Sequence, residues 1–180
     1  MAGDLRRCIV ESNSQANTNI DFAVTGTINL TAALPTLLRG VSINGPGADL
    51  MTLRRDTGGN YSIFTVATGV EVAISGLTIS NGNSYQGGGI SNSGGLAVSN
   101  STISGNVGNS GGGIFNTGGL NIVNSFILGN SAGAGGGVYS SGSLFVVSSV
   151  ISLNSAQGGA GGIWNSGTGM VEQSSVSGNS

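Results

Sequence analysis

The sequence predicts an all-β chain wound as a right-handed parallel β-helix (β-solenoid), with turns of about 24 residues and a short N-terminal capping helix. Three observations carry that prediction. Gly87-Gly88-Gly89-Ile90, Gly111-Gly112-Gly113-Ile114 and Gly135-Gly136-Gly137-Val138 recur at intervals of 24 residues, and Gly161-Gly162-Ile163 follows at 25. A second landmark, Ile103-x-x-Asn106, Ile127-x-x-Asn130, Ile151-x-x-Asn154 and Val176-x-x-Asn179, keeps the spacings 24, 24 and 25. Between the landmarks apolar residues take every second place, as in Leu96-Ala97-Val98-Ser99 and Leu120-Asn121-Ile122-Val123, which is the pattern of a half-buried strand. One such turn cannot bury its own apolar face, so turns must stack at the ~4.8 Å strand spacing.

Taken from the start, Leu5, Cys8 and Ile9 share an i, i+3, i+4 face, which predicts an amphipathic helix over residues 4–13 that covers the open end of the solenoid. Cys8 reads as a buried apolar member of that face and, as the sole cysteine, forms no intrachain disulfide. Residues 20–71 read as irregular first turns, with strands at Thr27–Leu30, Val41–Ile43 and Ile63–Val66, before Val72–Ile74 opens the regular turns of residues 72–180. All of this is expected to form a single domain, 1–180.

In the regular turns the inward columns are Ile90, Ile114, Val138 and Ile163; Val98, Ile122, Val146 and Val171; and Ile103, Ile127, Ile151 and Val176. The column Leu96, Leu120, Leu144 ends at Gly169, where a small packing defect is expected. Asn92, Asn116, Ser140 and Asn165, and Asn106, Asn130, Asn154 and Asn179, are expected at corners, accepting left-handed backbone and stacking their amides. Each landmark asparagine precedes the next glycine-block aliphatic by eight residues, except Asn154, which precedes Ile163 by nine. The extra residue therefore belongs to a loop within 155–160, since downstream columns stay in phase. The chain stops partway through a turn, at Asn179-Ser180, so a fragment of a longer protein is expected.

Composition narrows function. Glycine supplies 35 residues and charged residues 7%, but 38% is apolar and regularly placed, which argues for repeats over disorder. Lysine and histidine are absent, the five arginines lie in the first third, and the net charge is -2, so no nucleic-acid partner is expected. No apolar run reaches the ~20 residues of a membrane span, and the start lacks a secretory signal; an exported protein would carry its signal outside this sequence.

The glycine blocks, GGGI at 87–90 and 111–114 and GGGV at 135–138, together with the four I/V-x-x-N blocks, resemble the repeats of chlamydial polymorphic outer-membrane proteins and their bacterial surface relatives, whose signatures are GGA-I/L/V and F-x-x-N. Gly3-Asp-Leu-Arg-Arg-Cys-Ile9 is similar to the C-S-L-R-E-A-I leader helix of related β-helix proteins. The resemblance implies a secreted or cell-surface β-helix used for display, adhesion or as part of a secreted enzyme. Isoleucine stands where that family has phenylalanine, and no autotransporter barrel follows, so membrane insertion by this chain is not expected.

Parallel β-helices include polysaccharide lyases and glycoside hydrolases, which need paired carboxylates or acidic calcium ligands with a base. From Val72 to Ser180 the only acidic or basic side chain among Asp, Glu, Lys, Arg and His is Glu172, so no catalytic residue, cofactor or metal is expected. Upstream, Arg54-Arg55-Asp56 is the densest charged cluster and reads as a solvated loop with one local ion pair. Serines are many, but none has an evident base to activate it.

Function is then expected in outward surfaces. Phe115, Tyr139 and Trp164, preceded by Ser91, each follow an inward aliphatic and form an aromatic strip that either binds glycan or protein or only stiffens its face. Val123, Phe126, Leu128, Phe145, Val147 and Val150 fall at outward places and form a lateral association face, unless a corner shifts the alternation and buries some of them. The sequence thus reads as a non-catalytic structural or adhesive module that self-associates laterally or end to end, or else as the non-catalytic part of a carbohydrate-active enzyme. Ice binding is disfavoured because outward threonine is sparse.

Overall fold

The structure, a computed structural model, describes residues 4–15 and 17–180. It is a parallel β-helix in which every strand pairs with its counterpart one turn away. Within a regular turn the chain passes through four strands, such as Gly95–Ser99, Thr102–Ser104, Val107–Ser110 and Ile114–Asn116. Repetition makes four parallel sheets, here numbered in that order. The first and second have seven strands each, the third four and the fourth five. Register follows the predicted columns: Leu96 pairs with Leu120, Ile103 with Ile127, and Ile114 with Val138.

The N-terminal helix spans Leu5–Ser12, with Asp4 as its N-cap accepting from the Arg6 amide and Asn13 as its C-cap. Leu5 and Ile9 pack onto the first turn as predicted, whereas Cys8 is half-buried at the rim of the core. The Asn13 side chain holds the helix in place by donating to the Thr36 carbonyl and accepting from the Leu38 N–H, both at 2.8 Å. Two early strands were hidden from the pattern, Thr18–Asp21 and Met51–Arg55. The second corrects the reading of Arg54-Arg55-Asp56 as a loop with an ion pair. Arg55 ends a strand and donates to the carbonyls of Asn81 (2.9 Å) and Gly59 (3.2 Å), while the one salt bridge among the described residues is Arg7–Glu11.

Inward columns are fully buried through Ile151, but the last turn differs: Val171 and Val176 are 47% and 46% exposed, and Ile163 is half-buried. They belong to the last turn that the structure describes. The missing side chain at Gly169 therefore opens onto that exposed edge, where its neighbours Thr168, Met170 and Val171 are also exposed.

The asparagine columns point inward and hydrogen-bond from turn to turn. Asn106 donates its amide to Asn130 Oδ1 (2.9 Å), Asn130 to Asn154 Oδ1 (2.9 Å) and Asn154 to Asn179 Oδ1 (3.0 Å). Each Oδ1 also accepts the backbone N–H of the asparagine one turn earlier, and each Nδ2 reaches a strand carbonyl such as Ile103 O. A shorter ladder runs from Asn92 to Asn116 (2.7 Å) to Ser140 (3.0 Å). These residues do not take the left-handed backbone expected of them. That geometry falls on three other columns: Asn100, Asn124, Ser148 and Gln173; Asn81, Gly105, Gly129, Leu153 and Gly178; and Gly87, Gly111 and Gly135.

A third ladder is made of serine. The N–H groups of Ser101, Ser125 and Ser149 donate to the hydroxyls of Ser125, Ser149 and Ser174 at 3.0–3.2 Å, and each of those three hydroxyls donates to the carbonyl two residues before it. Buried polar groups at the corners are thereby satisfied inside the rod. The glycine blocks answer a different need: a methyl on Gly112 would collide with the carbonyl oxygens of Ser131 and Gly136, the next turn's backbone. The inserted residue lies between Gly158 and Ala160. Gln157 and Gly158 still bond to Ala132 and Gly133 in the old register, while Ala160 accepts from Gly136 in the new one.

Candidate interaction surfaces

Phe115, Tyr139 and Trp164 occupy equivalent places in the fourth sheet and stack as predicted. The Phe115 and Tyr139 centroids lie 5.3 Å apart at 17°, and those of Tyr139 and Trp164 lie 4.3 Å apart at 8°. Such close, near-parallel stacking turns ring faces toward one another. Phe115, expected outside, is only 8% exposed, and the glycine turns ahead of the strands press against the strip, Gly135 beside Tyr139 and Gly159 near Trp164. What the strip offers outward is ring edges. A sugar ring, which stacks on an aromatic face, finds a free one at most on the far side of Trp164.

None of the six residues of the lateral set is buried; Phe126 and Phe145 are exposed and Val123, Leu128, Val147 and Val150 half-buried. The alternation therefore holds through the corner, but the set divides between two sheets. Val123, Phe145 and Val147 stand on the first, and Phe126, Leu128 and Val150 on the second, with the left-handed corner residues Asn124 and Ser148 between them.

The first sheet carries a feature that sequence reading missed, a groove of about 750 Å³ along the rod axis. Its floor is the outward column Asn19, Ser42, Ala73, Ala97, Asn121 and Phe145, in register strand by strand. Beside it runs Glu71, Gly95, Gly119 and Ser143. The corner leading into this sheet is a glycine stack, Gly94, Gly118 and Gly142, packed so closely that a methyl on Gly118 would meet the Gly94 carbonyl. Small residues in the middle of three adjacent columns leave the hollow, and Phe145 closes one end of its floor. The signal was present in the sequence, but only in the outward positions.

Electrostatically the groove is acidic and otherwise neutral. Glu71 is exposed, its carboxylate lies over Gly95, and it pairs with no cation among the described residues. Elsewhere, Tyr61 is buried with its hydroxyl 2.6 Å from Leu30 O and 2.8 Å from Thr57 O, and burial pushes its pKa above the usual phenol value. Arg7, hydrogen-bonded to Glu11, is held above the ordinary guanidinium value. Among the described residues no group of three or more His, Cys, Asp or Glu side chains is placed to hold a metal, and no helix is long and apolar enough to cross a membrane.

No family model, curated protein or solved structure matches this chain.

Proposed function

We propose that the chain is a non-catalytic structural and adhesive β-helix module of a secreted or cell-surface bacterial protein, able to self-associate through its outward apolar residues. The observation that supports this most is the division of polar chemistry between inside and outside. Interior amides and hydroxyls are spent on turn-to-turn ladders, as at Asn130, which uses both its oxygen and its nitrogen on neighbouring turns. From Glu71 onward the outer surface holds two carboxylates, Glu71 and Glu172, on different columns and four strand steps apart, and exposed apolar residues including Phe126 and Phe145. A rod of that kind presents surfaces and has no paired acids to run hydrolysis or elimination. The resemblance of its repeats to those of bacterial surface proteins supports the same location.

Light scattering over a concentration series tests the self-association. The weight-average mass is expected to rise above the 17.6 kDa of one chain and to return toward it in Phe126→Ser/Val150→Thr; a constant monomer mass overturns this part of the reading. The groove on the first sheet favours a second reading, the non-catalytic part of a carbohydrate-active enzyme. An acidic cluster elsewhere in a longer parent protein would favour it over the first.

A further inference from the structure

We propose that the groove on the first sheet binds a neutral polysaccharide chain laid along the rod, with Phe145 stacking on a sugar ring and Glu71, Asn19 and Asn121 hydrogen-bonding its hydroxyls. The inference rests on the reading of the chain as a non-catalytic adhesive module, and gives that module a ligand class and a place to hold it.

Shape comes first. The floor from Ser42 to Phe145 crosses four strand steps, about 19 Å at the usual strand spacing. That length suits an extended oligomer better than a single sugar. Ala73 and Ala97 keep the middle low, and the glycine corner beside them has no side chains to obstruct a chain lying across successive turns.

The chemistry of the lining selects the occupant. Asn19 and Asn121 project outward and make no side-chain hydrogen bond to other described residues, in contrast to the interior asparagines of the ladders, which are fully engaged. Their amides both donate and accept, and the free Glu71 carboxylate accepts two donors, a set that matches vicinal hydroxyls. Phe145 is 43% exposed and belongs to neither of the stacked ring pairs of the fourth sheet, so it offers the aromatic surface that the strip does not. With Glu71 present and no arginine in the lining, a polyanionic glycan is repelled and a neutral one is accepted.

Affinity electrophoresis of the whole chain tests this, in native gels cast with a mixed-linkage β-glucan, a xyloglucan, a galactomannan or, as the polyanion, polygalacturonate. Poly-L-lysine titrated in solution probes a cationic partner instead. Retardation by a neutral polysaccharide and not by polygalacturonate is expected. Apparent affinity should fall about ten-fold or more in Phe145→Ala and in the groove-filling Ala97→Tyr, and stay within about two-fold in Trp164→Ala. Circular dichroism melts confirm folding, and Asn121→Tyr fills the same groove if Ala97→Tyr does not fold. No retardation by any neutral polysaccharide, retardation that survives both groove-filling variants, or binding confined to poly-L-lysine overturns the proposal. Failure of the two readings is distinguishable: release of reducing ends would end the non-catalytic reading with the groove intact, whereas self-associating rods that bind no polysaccharide would end the groove alone.

Discussion

Asn130→Ala is the substitution that most directly probes how the rod is held together. Asn130 is fully buried, and its Oδ1 accepts both the backbone N–H of Asn106 (3.0 Å) and the Asn106 side-chain amide (2.9 Å). Its Nδ2 donates to Ile103 O and to Asn154 Oδ1, both at 2.9 Å. Alanine leaves the Asn106 backbone N–H and one of the two hydrogens of its side-chain amide, whose other partner is the Ile79 carbonyl, without acceptors in the interior, at about 1–3 kcal/mol each, a loss of about 2–6 kcal/mol. Against the ~5–15 kcal/mol that stabilises a typical domain this is a large fraction. Because solenoid stability is summed from neighbouring turns, the weakening should concentrate in the turns that carry Asn106 and Asn154. Guanidinium chloride unfolding followed by circular dichroism should show a much lower midpoint, with hydrogen exchange accelerated at the Asn106 N–H. Asn130→Ser should lose less, since Ser140 already serves as acceptor for Asn116 in the parallel ladder. A midpoint for Asn130→Ala as high as that of the outward variant Asn121→Ala would refute the reasoning.

Other expectations follow from single positions. Leu153 holds a left-handed backbone at φ 58° and is 71% exposed, where its column otherwise has asparagine or glycine; Leu153→Gly should therefore raise stability by about 1 kcal/mol in the same unfolding assay. Ile122→Ala, at a fully buried site, should cost about 2–5 kcal/mol, while Val171→Ala in the exposed last turn should change stability by under about 0.5 kcal/mol. Tyr61 has its pKa raised by burial, so its contribution is complete below the unfolded phenol value and is lost as pH rises through the higher folded value. Thermal melts should therefore fall off above about pH 10, and Tyr61→Phe should flatten that decline.

The interior was legible in the sequence because its columns repeat the same residue type: Ile103, Ile127 and Ile151, or Asn106, Asn130 and Asn154, can only be stacked neighbours. Phase was legible for the same reason, down to the one inserted residue. The serine ladder escaped notice because serine is common throughout the chain, so Ser101, Ser125 and Ser149 do not stand out from solvated serines. Left-handed positions were assigned to the wrong asparagines, since a residue type that tolerates the geometry also makes good ladders, and only the backbone distinguishes Asn100 from Asn106. The strand Met51–Arg55 was hidden by two terminal arginines that a loop would carry equally well. Exposure was harder still. Alternation placed Phe115 outward, but the stacked ring of Tyr139 and the adjoining glycine turns cover it. The groove was missed because its signal is a run of small outward residues, Gly95, Gly119, Ala73 and Ala97, which do not stand out beside the apolar inward columns.

The central claim is that interior columns hold the rod while outward columns carry recognition, and it is tested by measuring stability and polysaccharide retention together on Asn130→Ala and Ala97→Tyr. The account predicts that Asn130→Ala lowers the melting temperature yet binds normally where it remains folded, and that Ala97→Tyr melts like the parent chain but is no longer retained. Equal retention of the parent and Ala97→Tyr, or loss of binding in folded Asn130→Ala, would contradict it.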